Sequence, residues 1–126
     1  LLQKKFTKKG VVWLSIISSK RGKQGFVSPS ECNEIIKQEG SFATAVILDE
    51  SGSIGRLFQA KTTPHMYIIN VNGNLVYQGA IDSIRSASLG DVTLAQNFVS
   101  MALSALIEGR EIDPSFTKPY GCSIKY

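Results

Sequence analysis

The sequence predicts an α/β chain built on a mixed sheet of about four strands flanked by helices. Short β-branched runs alternate with segments of helical period, as in parallel βαβ units. A serine-proline-serine-glutamate stretch opens one of the helices with a capping-box pattern. An Asn-Gly pair between two apolar runs adds an antiparallel hairpin.

Residues 1–9 end in basic side chains before Gly10, which fits the last turns of a helix with its cations at the negative pole of the dipole. Residues 11–17 (Val-Val-Trp-Leu-Ser-Ile-Ile) form a nearly unbroken apolar run, the pattern of a strand buried on both faces. Residues 18–27 form a polar loop, and Ser28 is placed to cap a helix that begins at Pro29 and stops at Gly40. Its apolar stripe, Cys32, Ile35 and Ile36, turns Cys32 toward the core. Residues 45–48 make a second buried strand, and Asp49-Glu50-Ser51-Gly52 turns the chain into a short helix around Ile54. Pro64 is confined to the start of the strand at residues 66–69, because proline cannot donate to a ladder. Asn72-Gly73 suits the positive φ values of a type I′ turn leading into residues 75–77. Asp91 is placed to cap a long amphipathic helix with apolar positions Val92, Ala95, Val99, Ala102, Leu103 and Leu106, ending at Gly109. Residues 110–126, with Pro114, Pro119 and Gly121, carry no period and read as an irregular tail of one domain spanning residues 1–126.

Hydrophobic residues make up 43% of the chain and charged ones 19%, which places it among globular rather than disordered sequences. No apolar run approaches the roughly 18 to 20 residues of a membrane span. The net charge of +4 comes largely from Lys4, Lys5, Lys8 and Lys9 and from Lys20, Arg21 and Lys23, clusters without interleaved aromatics, so a solvated face is expected and not a nucleic-acid surface. Cys32 and Cys122 stand in neither a C-x-x-C nor a metal-ligand pattern, and His65 is the one histidine. Without a Gly-rich phosphate loop or a ligand cluster, no nucleotide, flavin or metal cofactor is expected. Trp13, Tyr67 and Tyr77 at strand positions are expected to pack in the core.

Lys61-Thr62-Thr63-Pro64-His65-Met66-Tyr67-Ile68-Ile69, then Asn72-Gly73 and Leu75-Val76-Tyr77-Gln78-Gly79-Ala80-Ile81-Asp82, resemble the second half of the redoxin family. This is the alkyl hydroperoxide reductase and thiol-specific antioxidant group of thioredoxin-like proteins. The likeness extends over about residues 1–109, and Pro119-Tyr120-Gly121-Cys122-Ser123-Ile124-Lys125-Tyr126 is similar to the closing signature of one bacterial subgroup. The resemblance implies a thioredoxin-like fold that lacks, before Leu1, a strand, the turn bearing the reactive cysteine and most of the first helix. It implies a cis peptide bond before Pro64, where Thr63, Pro64 and His65 line a groove that pairs with an extended substrate. From the residues alone, Pro64 reads as a trans proline beginning an edge strand.

On this resemblance the intact parent is a thiol–disulfide oxidoreductase or thiol peroxidase, with a thiol reductant and a protein or peroxide as its partners. Cys122 is then a resolving thiol, or else a tail cysteine with a structural role; Cys32 is a buried small hydrophobe. The fragment alone is expected to be nearly inactive. The alternative is a noncatalytic module that holds an extended peptide at the Thr63-Pro64 groove. A sheet edge opened by the missing strand is expected to favour a homodimer. Either side of the bacterial inner membrane suits the resemblance equally.

Overall fold

A computed structural model describes residues 2–83 and 97–126. The chain divides into two compact units, Leu1–Ala60 with Ile124–Tyr126, and Lys61–Ser123. Both helices and strands are present, so the α/β class holds.

The first unit runs α1 (Leu2–Thr7), β1 (Leu14–Ile17), α2 (Pro29–Glu39), β2 (Ala45–Leu48) and α3 (Ser53–Leu57). β1 and β2 are parallel, in register from Leu14 opposite Ala45 to Ile17 opposite Leu48. A parallel pair needs a crossover, and α2 supplies it. Ser28 accepts from the Glu31 N–H while the Glu31 carboxylate accepts from the Ser28 N–H, and Gly40 closes the helix in the left-handed region (φ 61°), so the box read from the sequence forms in full. Cys32 is buried on α2, but its stripe neighbour Ile35 is exposed. The expectation that residues 11–17 are buried on both faces is corrected: Val12, Leu14 and Ile16 are 68, 51 and 37% exposed, alternating with half-buried neighbours. An unbroken apolar run specifies an extended strand but not which of its faces is covered.

The second unit holds β3 (Thr62–Thr63), β4 (Met66–Ile69), β5 (Leu75–Gly79), α4 (Phe98–Ile107) and β6 (Cys122–Ser123). β4 and β5 form the expected antiparallel hairpin, from Met66 opposite Gly79 to Ile69 opposite Leu75. Its turn is not type I′. The turn hydrogen bond runs from the Gly73 N–H to the Asn70 carbonyl, and Gly73 (φ 83°) follows as the left-handed residue while Asn72 keeps a negative φ. That is a type I turn with a glycine bulge, and the register shift between Ile68 and Ile69 is its mark on the ladder. The Asn70 side chain selects it by accepting from the N–H groups of both Asn72 and Asn74.

Helix α4 starts at Phe98, with Asn97 extended and its side chain accepting from the Ser100 N–H. Val99, Ala102, Leu103 and Ala105 are its buried face. The cap expected at Asp91 and the positions Val92 and Ala95 lie outside the described residues. Tyr77 is buried as expected, whereas Trp13 and Tyr67 are half-buried.

Among the described residues the ladders are three pairs, β1–β2, β3–β6 and β4–β5, in place of one sheet of about four strands. Crossover helix and tight turn each fix a pair locally; apolar runs carry no information about a third strand alongside. The tail is also more ordered than its lack of period suggested, since its partners are distant in sequence: Ser123 and Cys122 pair with Thr62 and Thr63, and Phe116 bridges to Gln78. Among the described residues no helix is long and apolar enough to cross a membrane.

Candidate functional site

Thr62 and Thr63 form β3, and the Thr63–Pro64 peptide bond is cis, as the resemblance implied. The Thr62 hydroxyl donates to the Pro64 carbonyl at 2.8 Å, bracing the turn. His65 follows, half-buried, with its Nδ1 accepting from the Lys61 N–H at 3.2 Å and its ring stacked on Tyr67 at 4.6 Å. Burial, and then the positive charge of Lys61, hold its pKa below the ordinary imidazole value. With Nδ1 accepting, the neutral ring carries its proton on Nε2.

Cys122 lies directly opposite Thr63 in the β3–β6 ladder, so the structure brings Cys122 to the start of the Thr63-Pro64-His65 segment. Thr63, Pro64 and Cys122 are exposed. Gly121 makes the approach possible. Its φ is 142°, and a β-carbon there would overlap the Thr63 carbonyl.

Two further tail contacts lie in the same unit. The Thr117 hydroxyl lies 2.6 Å from the Tyr77 hydroxyl and accepts from the Ala80 N–H at 2.9 Å. The Tyr120 hydroxyl donates to the Asp82 carboxylate; burial, then that bond and the carboxylate charge, push the phenol pKa up to about 12. Gly79, like Gly121, has a large positive φ (141°) and faces a carbonyl, that of Thr117, where no side chain fits. These isolated glycines at strand ends were the available sequence signal for a closely approaching backbone.

A second polar constellation, missed from the sequence, lies in the first unit. The Asp49 carboxylate, 4% exposed, accepts from the Ser18 hydroxyl (2.7 Å), the Gly55 N–H (2.9 Å), the Ile54 N–H (3.2 Å) and the Ser53 hydroxyl (3.4 Å). Burial works to raise its pKa, and these donors outweigh it, leaving the group below the ordinary carboxylate value. Its partners are structural: it ties β2 to the start of α3 and to the loop after β1.

Cys32 is buried in the first unit beside a cavity of about 240 Å³ that Ile36, Val46 and Leu48 also line. Among the described residues no three of His, Cys, Asp and Glu converge on one point where a metal ion could be held.

A scan against protein-family models finds no match, nor does a search of curated proteins. Among solved structures the chain is similar to an uncharacterized conserved protein from Geobacillus kaustophilus, with a TM-score of 0.80 and 25% identity over 99% of this chain and 65% of that one. It is also similar to a hypothetical protein from Sinorhizobium meliloti, with a TM-score of 0.83 and 19% identity over 99% of this chain and 67% of that one. The chain thus spans less than two thirds of the first of these proteins, and it shares its α/β architecture with both.

Proposed function

We propose that this chain is part of a thioredoxin-like redoxin, a thiol–disulfide oxidoreductase or thiol peroxidase, in which Cys122 is the resolving thiol. The observation that carries the reading is the register of Cys122 opposite Thr63 in the β3–β6 ladder. An exposed thiol held by a two-residue ladder is open to attack on a second sulfur. In the peroxidase form, a parent cysteine outside this chain reduces a peroxide and becomes a sulfenic acid. The Cys122 thiolate then attacks that sulfur, forming a disulfide and releasing water, and an external thiol reductant restores both thiols. In the exchange form, Cys122 attacks a mixed disulfide and releases the substrate thiol.

The test uses the full gene product containing this chain, assayed for peroxide consumption and disulfide reduction with a thioredoxin-type reductant. Turnover is expected, with a bridge to Cys122 appearing by mass spectrometry. Cys122→Ser is expected to lower reductant-dependent turnover about tenfold or more while the first oxidation persists. Unchanged turnover without Cys122 overturns the resolving role, and a product without any thiol turnover overturns the redoxin reading. The 126-residue chain alone is expected to be nearly inactive in the same assays.

A second reading, a module that holds an extended peptide at the Thr63-Pro64 groove, is favoured by one observation: β3 already takes an antiparallel strand, the chain's own β6. Self-association through the outer edge of β1, with its exposed Leu14 and Ile16 and the exposed Val12 just before it, belongs to either reading. Light scattering at high micromolar concentration is expected to give a dimer mass, and a strictly monomeric chain removes it.

A further inference from the structure

We propose that Tyr126 is a positioning residue for the resolving thiol. Its side chain latches the end of the tail, and the latch keeps Cys122, four residues earlier, where it closes on a second sulfur. The proposal rests on the resolving role given to Cys122 and adds to it the device that holds that thiol in place.

The latch is built in the first unit. Gly52 and Gly55, at the start of α3, leave a notch that Tyr126 fills, and a β-carbon at either glycine would overlap its side chain. The Arg56 guanidinium lies over the Tyr126 ring, 4.6 Å from the centroid, and is itself fixed by donating to the Ser51 carbonyl at 2.6 Å. The Tyr126 hydroxyl donates to the Ala60 carbonyl at 2.8 Å, and the Lys20 N–H donates to the Lys125 carbonyl at 2.8 Å. A notch, a cation and two hydrogen bonds grip two residues that take no part in the β6 ladder.

Cys122 needs that grip. The ladder contains only the pairs Thr62–Ser123 and Thr63–Cys122, with Thr63, Cys122 and Ser123 all exposed, so little burial reinforces it. Upstream, Tyr120 is held by the Asp82 carboxylate. A two-residue strand gripped on one side only frays from the other, and a thiol that wanders spends less time near a given partner. Bridge formation is intramolecular, so its rate follows the effective concentration that the tether sets.

The test uses the full gene product containing this chain, reduced and then given a single equivalent of hydrogen peroxide. The step measured is attack of the Cys122 thiolate on the sulfenic acid of the parent cysteine: the S–S bond forms, the S–O bond breaks and the oxygen leaves as water. Tyr126→Ala is expected to form the sulfenic acid at the native rate but the disulfide to Cys122 about fivefold or more slowly, with faster amide exchange at Cys122 and Ser123. Tyr126→Phe keeps a ring in the notch under Arg56 and is expected to restore both. Native or faster bridging in Tyr126→Ala overturns the positioning, as does equal slowing of both oxidation steps, which marks a general loss of structure. A native product in which peroxide never links Cys122 overturns the resolving role itself, which distinguishes the two failures.

Discussion

His65 and Asp49 show opposite uses of a titratable group. The Lys61 N–H donates to the His65 Nδ1, which requires a neutral ring, and burial together with Lys61 keeps the pKa below 6.5. Because the unfolded chain binds the proton more readily, this contribution to stability is complete above pH 6.5 and is lost as the pH falls from there through the folded value. NMR titration is expected to show the imidazole protonating below pH 6.5, with the Lys61 amide resonance moving in step. A Lys61 amide that ignores the transition sinks the assignment. Asp49 is a depressed acid, so its contribution is present above pH 3.8 and is lost as the pH falls through its lower folded value. Asp49→Ala leaves the Ser18 hydroxyl and the Gly55 and Ile54 N–H groups without their acceptor and is expected to destabilise the chain by about 2–4 kcal/mol. Urea denaturation at pH 7 measures it, and a change under about 0.5 kcal/mol, the range of ordinary surface substitutions, contradicts the structural role.

At the scale of elements, α2 is the segment whose ends are written locally. Ser28→Ala removes the side-chain half of the capping box and is expected to lower stability by about 1 kcal/mol, a shift of a few degrees in melting temperature. An unchanged melting curve means that the cap is not what holds the start of α2. The same locality explains what was legible beforehand. The bounds of α2 and the place of the hairpin follow from residues within a few positions of each other. The turn type did not, because Asn70, outside the Asn72-Gly73 pair, decides it. β3 and β6 were illegible for a stronger reason. Two residues have no period, and their pairing joins Thr63 to Cys122 across most of the second unit. Of the candidate site, Thr63, Pro64, His65 and Cys122 came from a resemblance. The pairing of Cys122 with Thr63 came from the ladder, with Gly121 as its one local sign.

At the scale of the whole molecule, the two cysteines sit in environments that make them separate reporters. Cys122 is exposed in the second unit, whereas Cys32 is 6% exposed in the first, on the helix that connects the two parallel strands. A thiol reagent can reach Cys122 without any opening of the chain. Cys32 reacts only when α2 separates from what covers it, and such openings range from local fluctuations to global unfolding. Labelling the native chain is therefore expected to show one fast thiol and one slower by about a thousandfold or more, the folded-to-unfolded ratio expected of a marginally stable domain. Cys122→Ser removes the fast phase, and urea accelerates the slow one. Comparable rates for both thiols would mean that the first unit opens readily around α2. That would detach the burial of Cys32 from the stability of the fold and make it a second reactive thiol.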